Sequence, residues 1–479
     1  MKHIKVLVML LLGIIIISCQ SDFLEPELTS GVVSAEYYTT TEEVETAVIN
    51  MYDGIQGVNS TNTDDNHGIQ IEFYVTEMRS DNTRTKSQEG EAAQFESYRV
   101  AATNGIVSDY YASFYNVIFR ANIVLDNLGV VTDPSKAAAF ESEAKFVRAY
   151  AYFNLVRLFG DLPLVDRVIS RFETDIQFTR VSTDKIYDLI ISDLGTAVTG
   201  LDNTYKTRAS KAAAQGLLAK VYLTRGEYLK AQVLCESIIS LSPGTFGLLD
   251  NYNDVFYTER HKEILFAIGF TPSLTSDSQS FSAEMMNGVG RTSGVNYVTD
   301  DAKAIFAQYG GNRTQYSLRT DPSQTTQTQV AKYFPNGDSG GSTGKKFTEG
   351  DPTLAGNDWI VLRYADVLLM HVEAIMGAGT ETNTDAALTS FNLIRNRAAM
   401  PLKTIGVDKI TKQELLDERR VELAFENHRL FDLIRFGEAE SVLSALSAAN
   451  GYGYTSSDLL LPIPQNEINI SQGVMKQNP

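Results

Sequence analysis

The chain has 479 residues, a formal net charge of −18, 43% apolar and 21% charged residues, and two cysteines. The apolar share suits a globular protein with a large core, in one unit or a few. The acidic surplus repels phosphate backbones and offers no basic clusters, which excludes nucleic acid as a partner and excludes electrostatic attachment to anionic lipid.

The chain starts with Met1-Lys2-His3-Ile4-Lys5 and an apolar run from Val6 to Ile17. A membrane-spanning helix needs about 20 apolar residues, so this run is too short to span and reads as a secretory signal. Ile16-Ile17-Ser18-Cys19 resembles a bacterial lipoprotein signal, in which Cys19 becomes the lipidated first residue of the mature chain. The alternative is an ordinary secreted chain cut elsewhere. With Cys19 acylated, Cys235 has no disulfide partner, and packing alone holds the fold. The polar, acidic stretch Gln20 to Glu27 reads as a solvated tether, and also resembles the acidic stretch of surface-exported lipoproteins of the Bacteroidetes.

Beyond the tether, helical periodicity dominates the chain. Thr41 to Ile55 carries Val44, Val48, Met51, Tyr52 and Ile55 on one face, after a capped start at Thr41-Glu42-Glu43. Tyr110 to Leu128, Lys136 to Phe159 and Asp184 to Val198 are further helices, the second stopped by Gly160-Asp161-Leu162-Pro163. Ala209 to Arg225 and Tyr228 to Ser240 form the clearest pair. Leu218, Ala219, Tyr222, Gly226, Tyr228, Ala231 and Pro243 fall at the spacings of a tetratricopeptide repeat. Asp366 to Gly377 and Asp385 to Ala398 repeat the pattern with a longer turn. Two stretches break it, Gly57 to Thr103 and Thr245 to Asp358, both rich in polar residues; long insertions of this kind carry function more often than not. Leu459 to Pro479, with Pro462-Ile463-Pro464, is expected to be extended.

Several segments point to one family. Glu143 to Tyr150 with Leu155 to Leu164, Leu362 to Leu369, Glu418 to Glu426 with Arg429 to Arg435, and Leu461 to Ile468 with Gln477-Asn478-Pro479 resemble signature stretches of the SusD/RagB family. The resemblance spans nearly the whole mature chain. It implies a mainly α fold of tetratricopeptide-like helical pairs supporting an irregular, variable ligand-binding part. It also implies a surface-exposed lipoprotein of the cell outer membrane that captures nutrient, glycan or, in the RagB-like alternative, peptide. The partner it implies is a SusC-like TonB-dependent transporter; it implies no enzymatic activity and no cofactor. The expected organisation is a signal at 1–18, a tether at 19–38, helical parts at 39–244 and 359–440, a variable part at 245–358 and an extended tail at 441–479.

Glycan capture needs flat aromatic faces and planar polar groups at their rim. Trp359, the only tryptophan, directly precedes a core helix and is expected to pack inside. Ligand contacts are therefore expected from two regions. The first supplies Tyr74, Arg79, Asp81, Asn82 and Tyr98, where Ser80-Asp81-Asn82 is similar to a recurrent family segment; a loop-stabilising Asx turn is the competing reading. The second supplies Arg291, Asn296 and Tyr297. Glu418, Arg419, Glu422, Arg429, Asp432 and Arg435 stand at spacings that allow salt-bridge ladders, and are read as structural.

Rival functions fit less well. Gly337-Asp338-Ser339-Gly340-Gly341 copies a serine-protease sequence without its fold. No His-Glu-x-x-His, P-loop or dinucleotide glycine motif occurs, and no metal ligand set is assigned, although oxygen-only calcium sites leave no such motif. A surface glycoside hydrolase needs two facing carboxylates, which 59 acidic residues could supply. A pure protein-binding scaffold leaves the long polar insertions without a role.

Overall fold

A computed structural model describes residues 37–57, 68–85, 90–170, 172–274, 276–285, 296–320, 325–333 and 352–478. The signal, Cys19, Arg291 and Gly337 to Gly341 lie outside them.

Helix α1 (Thr41–Gln56) is capped by Thr40, whose hydroxyl accepts from the Glu43 amide while the Glu43 carboxylate accepts from the Thr40 amide. The cap thus sits one residue before the expected start. The long helices α4 (Gly105–Asp126) and α5 (Pro134–Phe159) start at Asn104 and Asp133, whose side chains accept from first-turn amides. Helices α6 (Thr183–Gly200), α7 (Lys211–Thr224) and α8 (Tyr228–Ile239) continue the series, and each packs on its predecessor. Helix α10 (Tyr364–Met376) then packs directly on α8, and α11 (Asp385–Arg397) on α10. The two repeat-like pairs read from the sequence are therefore stacked neighbours, although Thr245 to Asp358 separates them along the chain. The fold is mainly α, as a stack of helical pairs, with α1 packed on α4 at one end.

The intervening segment returns through a buried ribbon of β4 (Ile264–Ile268) and β8 (Trp359–Arg363), antiparallel, with every residue of β4 buried. Gly216 on α7 lets this ribbon approach. A Cβ there would stand 2.4 Å from Leu362 Cδ2. Trp359 is buried as expected, 5.2 Å from the Phe281 ring and 5.1 Å from Tyr333.

Two expectations need correction. The polar stretch Gly57 to Thr103 contains helices α2 (Gly68–Val75) and α3 (Gly90–Glu96), and α2 packs on α4. The tail is not extended throughout, since α14 (Ala439–Asn450) and α15 (Gln465–Ile470) are helical. Its Ile463 and Asn478 are held by side-chain bonds of Gln477 and Asn478 to backbone atoms of 461, 463 and 159. Among the described residues, no helix is long and apolar enough to cross a membrane.

Candidate functional site

A network of buried ion pairs forms the back of the site. Helix α12 (Lys412–Glu422) opens with a Thr411–Glu414 capping box, and α13 (Arg429–Phe436) comes after Phe425 and Asn427 adopt left-handed backbone, at φ 64° and 62°. That tight reversal folds α13 back on α12, so Arg419 donates to both oxygens of Asp432 at 2.9 Å and to Asp366 at 2.9 Å. Glu422 accepts from Arg363 at 2.6 Å and Arg313 at 2.9 Å and also pairs with Arg397. Arg363 further holds Glu426 at 2.7 Å and Glu263 at 3.0 Å. Burial by itself raises these carboxyls. The surrounding guanidiniums outweigh it, holding Glu422 and Glu426 below the usual range and Asp432 at about 2. Such groups carry no proton to donate at neutral pH, so this network does not serve as a general acid.

The spacing had allowed ladders along one helix. Instead Glu418 pairs with Arg313 and Arg395, Arg429 with Asp81, and Arg435 with Glu373 across elements. Of the six side chains singled out, Asp432 and Arg435 are the pair joined within a helix.

Residues 76–84 lie on this network. Asp81 accepts from Arg429 Nε at 2.7 Å and Nη2 at 2.8 Å, with Arg420 at 3.1 Å. Burial pushes its carboxyl up, but the two arginines win and hold it at about 2. Asn82 donates to Glu77 at 2.9 Å and accepts from Arg420 at 2.8 Å. Arg79 donates to the Val75 carbonyl at 3.1 Å, and Tyr98 donates to the Arg79 carbonyl at 2.9 Å. Burial lowers the Arg79 guanidinium to about 10. The expected ligand-facing placement of these four is therefore corrected: each is buried and bonds to the protein itself, Asp81 and Asn82 to the arginines of the network and Arg79 and Tyr98 to backbone carbonyls.

The two sequence regions meet beyond that layer. Strand β1 (Thr83–Arg84) pairs antiparallel with β5 (Tyr297–Val298), matching Thr83 to Val298 and Arg84 to Tyr297. Strands β7 (Thr328–Val330) and β6 (Leu318–Thr320) complete a sheet ordered β1-β5-β7-β6. The Thr299 amide and hydroxyl donate to the Asn82 and Asp81 carbonyls at 2.9 and 2.7 Å, fixing β5 to the layer beneath. Tyr297 is buried, and the half-buried Arg84 stands 6.0 Å from its ring and bonds to Gln327. Tyr74 is half-buried with its hydroxyl 3.3 Å from Glu284. Asn296 is fully buried, and its amide oxygen and nitrogen both lack a partner among the described residues. Buried amides are normally satisfied, so Asn296, just before β5, is an unsatisfied polar group among the described residues. Arg84 and Gln327 were missed by the sequence reading. Their signal was available only as flanks of polar insertions.

Other chemistry has little support. Among the described residues, no group of His, Cys, Asp and Glu could hold a metal ion. A partly open cavity of about 40 Å³, lined by Glu72, Arg157, His428 and Trp359 among others, is the size of a few waters. Burial lifts the Glu72 carboxyl there to about 7.

The chain is thus an α-helical repeat stack closed by a buried ion-pair frame, with an irregular sheet on one face. A family model described as "Starch-binding associating with outer membrane" matches residues 23–223, and the SusD family model matches 286–479. The chain belongs to the SusD family. It is 26% identical to SusD-like protein P2 of Formosa agariphila, each chain covered over 100% of its length, and 23% identical to the starch-binding protein SusD of Bacteroides thetaiotaomicron, covering 75% of this chain and 76% of that one. Among solved structures, a laminarin-binding SusD-like protein superposes with a TM-score of 0.73 at 24% identity, covering 92% of this chain and 100% of its own. A SusD homolog of Bacteroides thetaiotaomicron gives 0.77 at 22%, covering 93% and 98%. The structural likenesses establish the fold.

Proposed function

We propose that this protein is a non-catalytic, surface-exposed lipoprotein that captures glycan and hands it to a SusC-like TonB-dependent transporter of the outer membrane. Cys19 carries the lipid anchor. The observation that carries the reading is the β1–β5 pairing, which brings two polar insertions, distant in sequence, onto one sheet within a chain of this family. Relatives named for binding starch and laminarin support a glycan as ligand. In this reading Tyr74, Arg84 and Gln327 form the ligand face over the buried Asn296 and Tyr297, and Arg291 is a further proposed ligand contact. Arg79, Asp81, Asn82 and Tyr98 support it from behind.

The test is calorimetric titration of residues 20–479 with starch, laminarin and peptide mixtures, followed by Arg84→Ala and Tyr74→Ala. Arg84→Ala is expected to weaken glycan binding roughly tenfold, the scale of one lost charged hydrogen bond, with an unchanged melting temperature. Binding of peptides alone would move the ligand to the peptide class. Sustained glycan hydrolysis would overturn the non-catalytic reading, and failure to co-purify with a TonB-dependent transporter from the native membrane would overturn the hand-off.

A further inference from the structure

Helix α4 carries aromatic side chains on two faces. Tyr110, Phe114, Val117, Ile118 and Ala121 are core residues. Tyr111, Tyr115 and Phe119 recur every fourth residue on another face, and there they line a groove of about 360 Å³ with Ile169, Gln177 and Glu467. Small-molecule sites run from about 300 to 1,000 Å³. The Tyr111 and Tyr115 rings are 4.8 Å apart, and Tyr115 is pinned by donating to the Pro163 carbonyl at 2.9 Å. Phe119 ends the row, 47% exposed. A lone exposed Phe is ordinary; this one continues a row that begins in the core.

Tyr115 is committed to Pro163, but the carboxylate of the groove is unspent. Glu467, on α15, is half-buried, and its carboxylate has no ion-pair or hydrogen-bond partner among the described residues. Burial raises its carboxyl above the usual range. The buried Tyr111 hydroxyl makes no hydrogen bond of ordinary geometry among the described residues. Among the described residues the lining holds no Lys, Arg or His. A sugar ring matches this set, with its C–H face on the aromatic rings and its hydroxyls donating to Glu467. An acidic sugar or a phosphate would be repelled by the unpaired Glu467 carboxylate, which favours a neutral ligand.

We propose that the groove of Tyr111, Tyr115, Phe119 and Glu467 is a second binding site, taking neutral sugar units. None of its elements belongs to the four-stranded sheet. The inference rests on the reading that the protein binds glycan. Its consequence is avidity: two sites on one chain hold a long polymer more tightly than either alone, by roughly a hundredfold or more.

The test uses residues 20–479 as wild type, Phe119→Ala, Glu467→Gln and Arg84→Ala, titrated with maltohexaose and laminarihexaose and run on affinity gels containing starch or laminarin. Expected are two oligosaccharides per wild-type chain and one for Phe119→Ala and for Glu467→Gln, with polymer retention reduced at an unchanged melting temperature. Loss of all binding in the groove variants, with Arg84→Ala unaffected, would support the groove and sink the sheet face. Unchanged stoichiometry and retention in both groove variants would overturn the groove alone. So would binding of a lysine-rich peptide that Glu467→Gln abolishes while sugar binding stays intact. A wild type that binds no glycan overturns the function and the groove together.

Discussion

Asp81→Asn removes one charge from the layer between the ion-pair frame and the sheet. The carboxylate is 4% exposed and takes two hydrogen bonds from Arg429 and a third contact from Arg420. The amide keeps the shape, leaves the buried Arg429 guanidinium without its ion-pair partner and leaves Arg420 with Asp301 alone. Breaking a buried pair from one side costs about 3–5 kcal/mol. A folded chain of roughly 440 residues gains about 0.9 kcal/mol per kelvin in unfolding entropy, so the melting temperature should fall by about 3–5 °C. The wild-type carboxyl is held at about 2, below its unfolded value. Its stabilisation is therefore present above about pH 4 and lost as pH falls toward 2, about 2 kcal/mol in all. The assay is differential scanning calorimetry of both proteins from pH 7 down to pH 2.5. Asp81→Asn should melt lower at pH 7, and the gap should narrow as the wild type is acidified. Glycan affinity should fall too, because Thr299 anchors β5 to the backbone of Asp81 and Asn82. A variant that melts with the wild type at pH 7 would refute the view that this ion pair holds the face in place.

Glu422→Gln strips partners from Arg363, Arg397 and Arg313 at once, and should lower the urea midpoint by more than Asp81→Asn does; equal midpoints would show that the network tolerates a neutral centre. Gly311→Ala places a Cβ 2.1 Å from the Ala398 carbonyl oxygen at φ 55°, so a loss of about 1–3 kcal/mol is expected in denaturant unfolding. Cys235 is fully buried, and burial pushes its thiol well above the usual range. In residues 20–479 it should stay unlabelled by a thiol reagent until the chain unfolds, and rapid labelling of native protein would contradict its placement.

The helical stack was legible because its signal is local. Leu218, Ala219, Tyr222 and Ala231 display one repeat within 14 residues, and Ala387, Phe391 and Ile394 echo it. Helix α2 was not legible. Ile69, Ile71, Phe73 and Val75 alternate with polar residues, the period of a strand, yet α2 packs on α4 and buries Gln70 and Glu72 as well. The candidate site was half legible. Its two regions were found, but not that they pair. Asp81 and Arg429 stand 348 residues apart, and a carboxylate whose partner is that distant looks, in sequence, like any polar loop residue available to a ligand. The reversal at Phe425 and Asn427 was hidden for a related reason: Asn427 is a residue that tolerates left-handed backbone, but Phe425 is not, and no glycine marks the turn.

The β1–β5 pairing also separates two burdens. The bonds that fix the strands run from the Asp81 carboxylate to the Thr299 hydroxyl and on to Asp301, which pairs with Arg420. The Arg84 and Gln327 side chains, bonded to each other, take no part in them. Those two side chains can therefore be exchanged without touching the contacts that fix the strands.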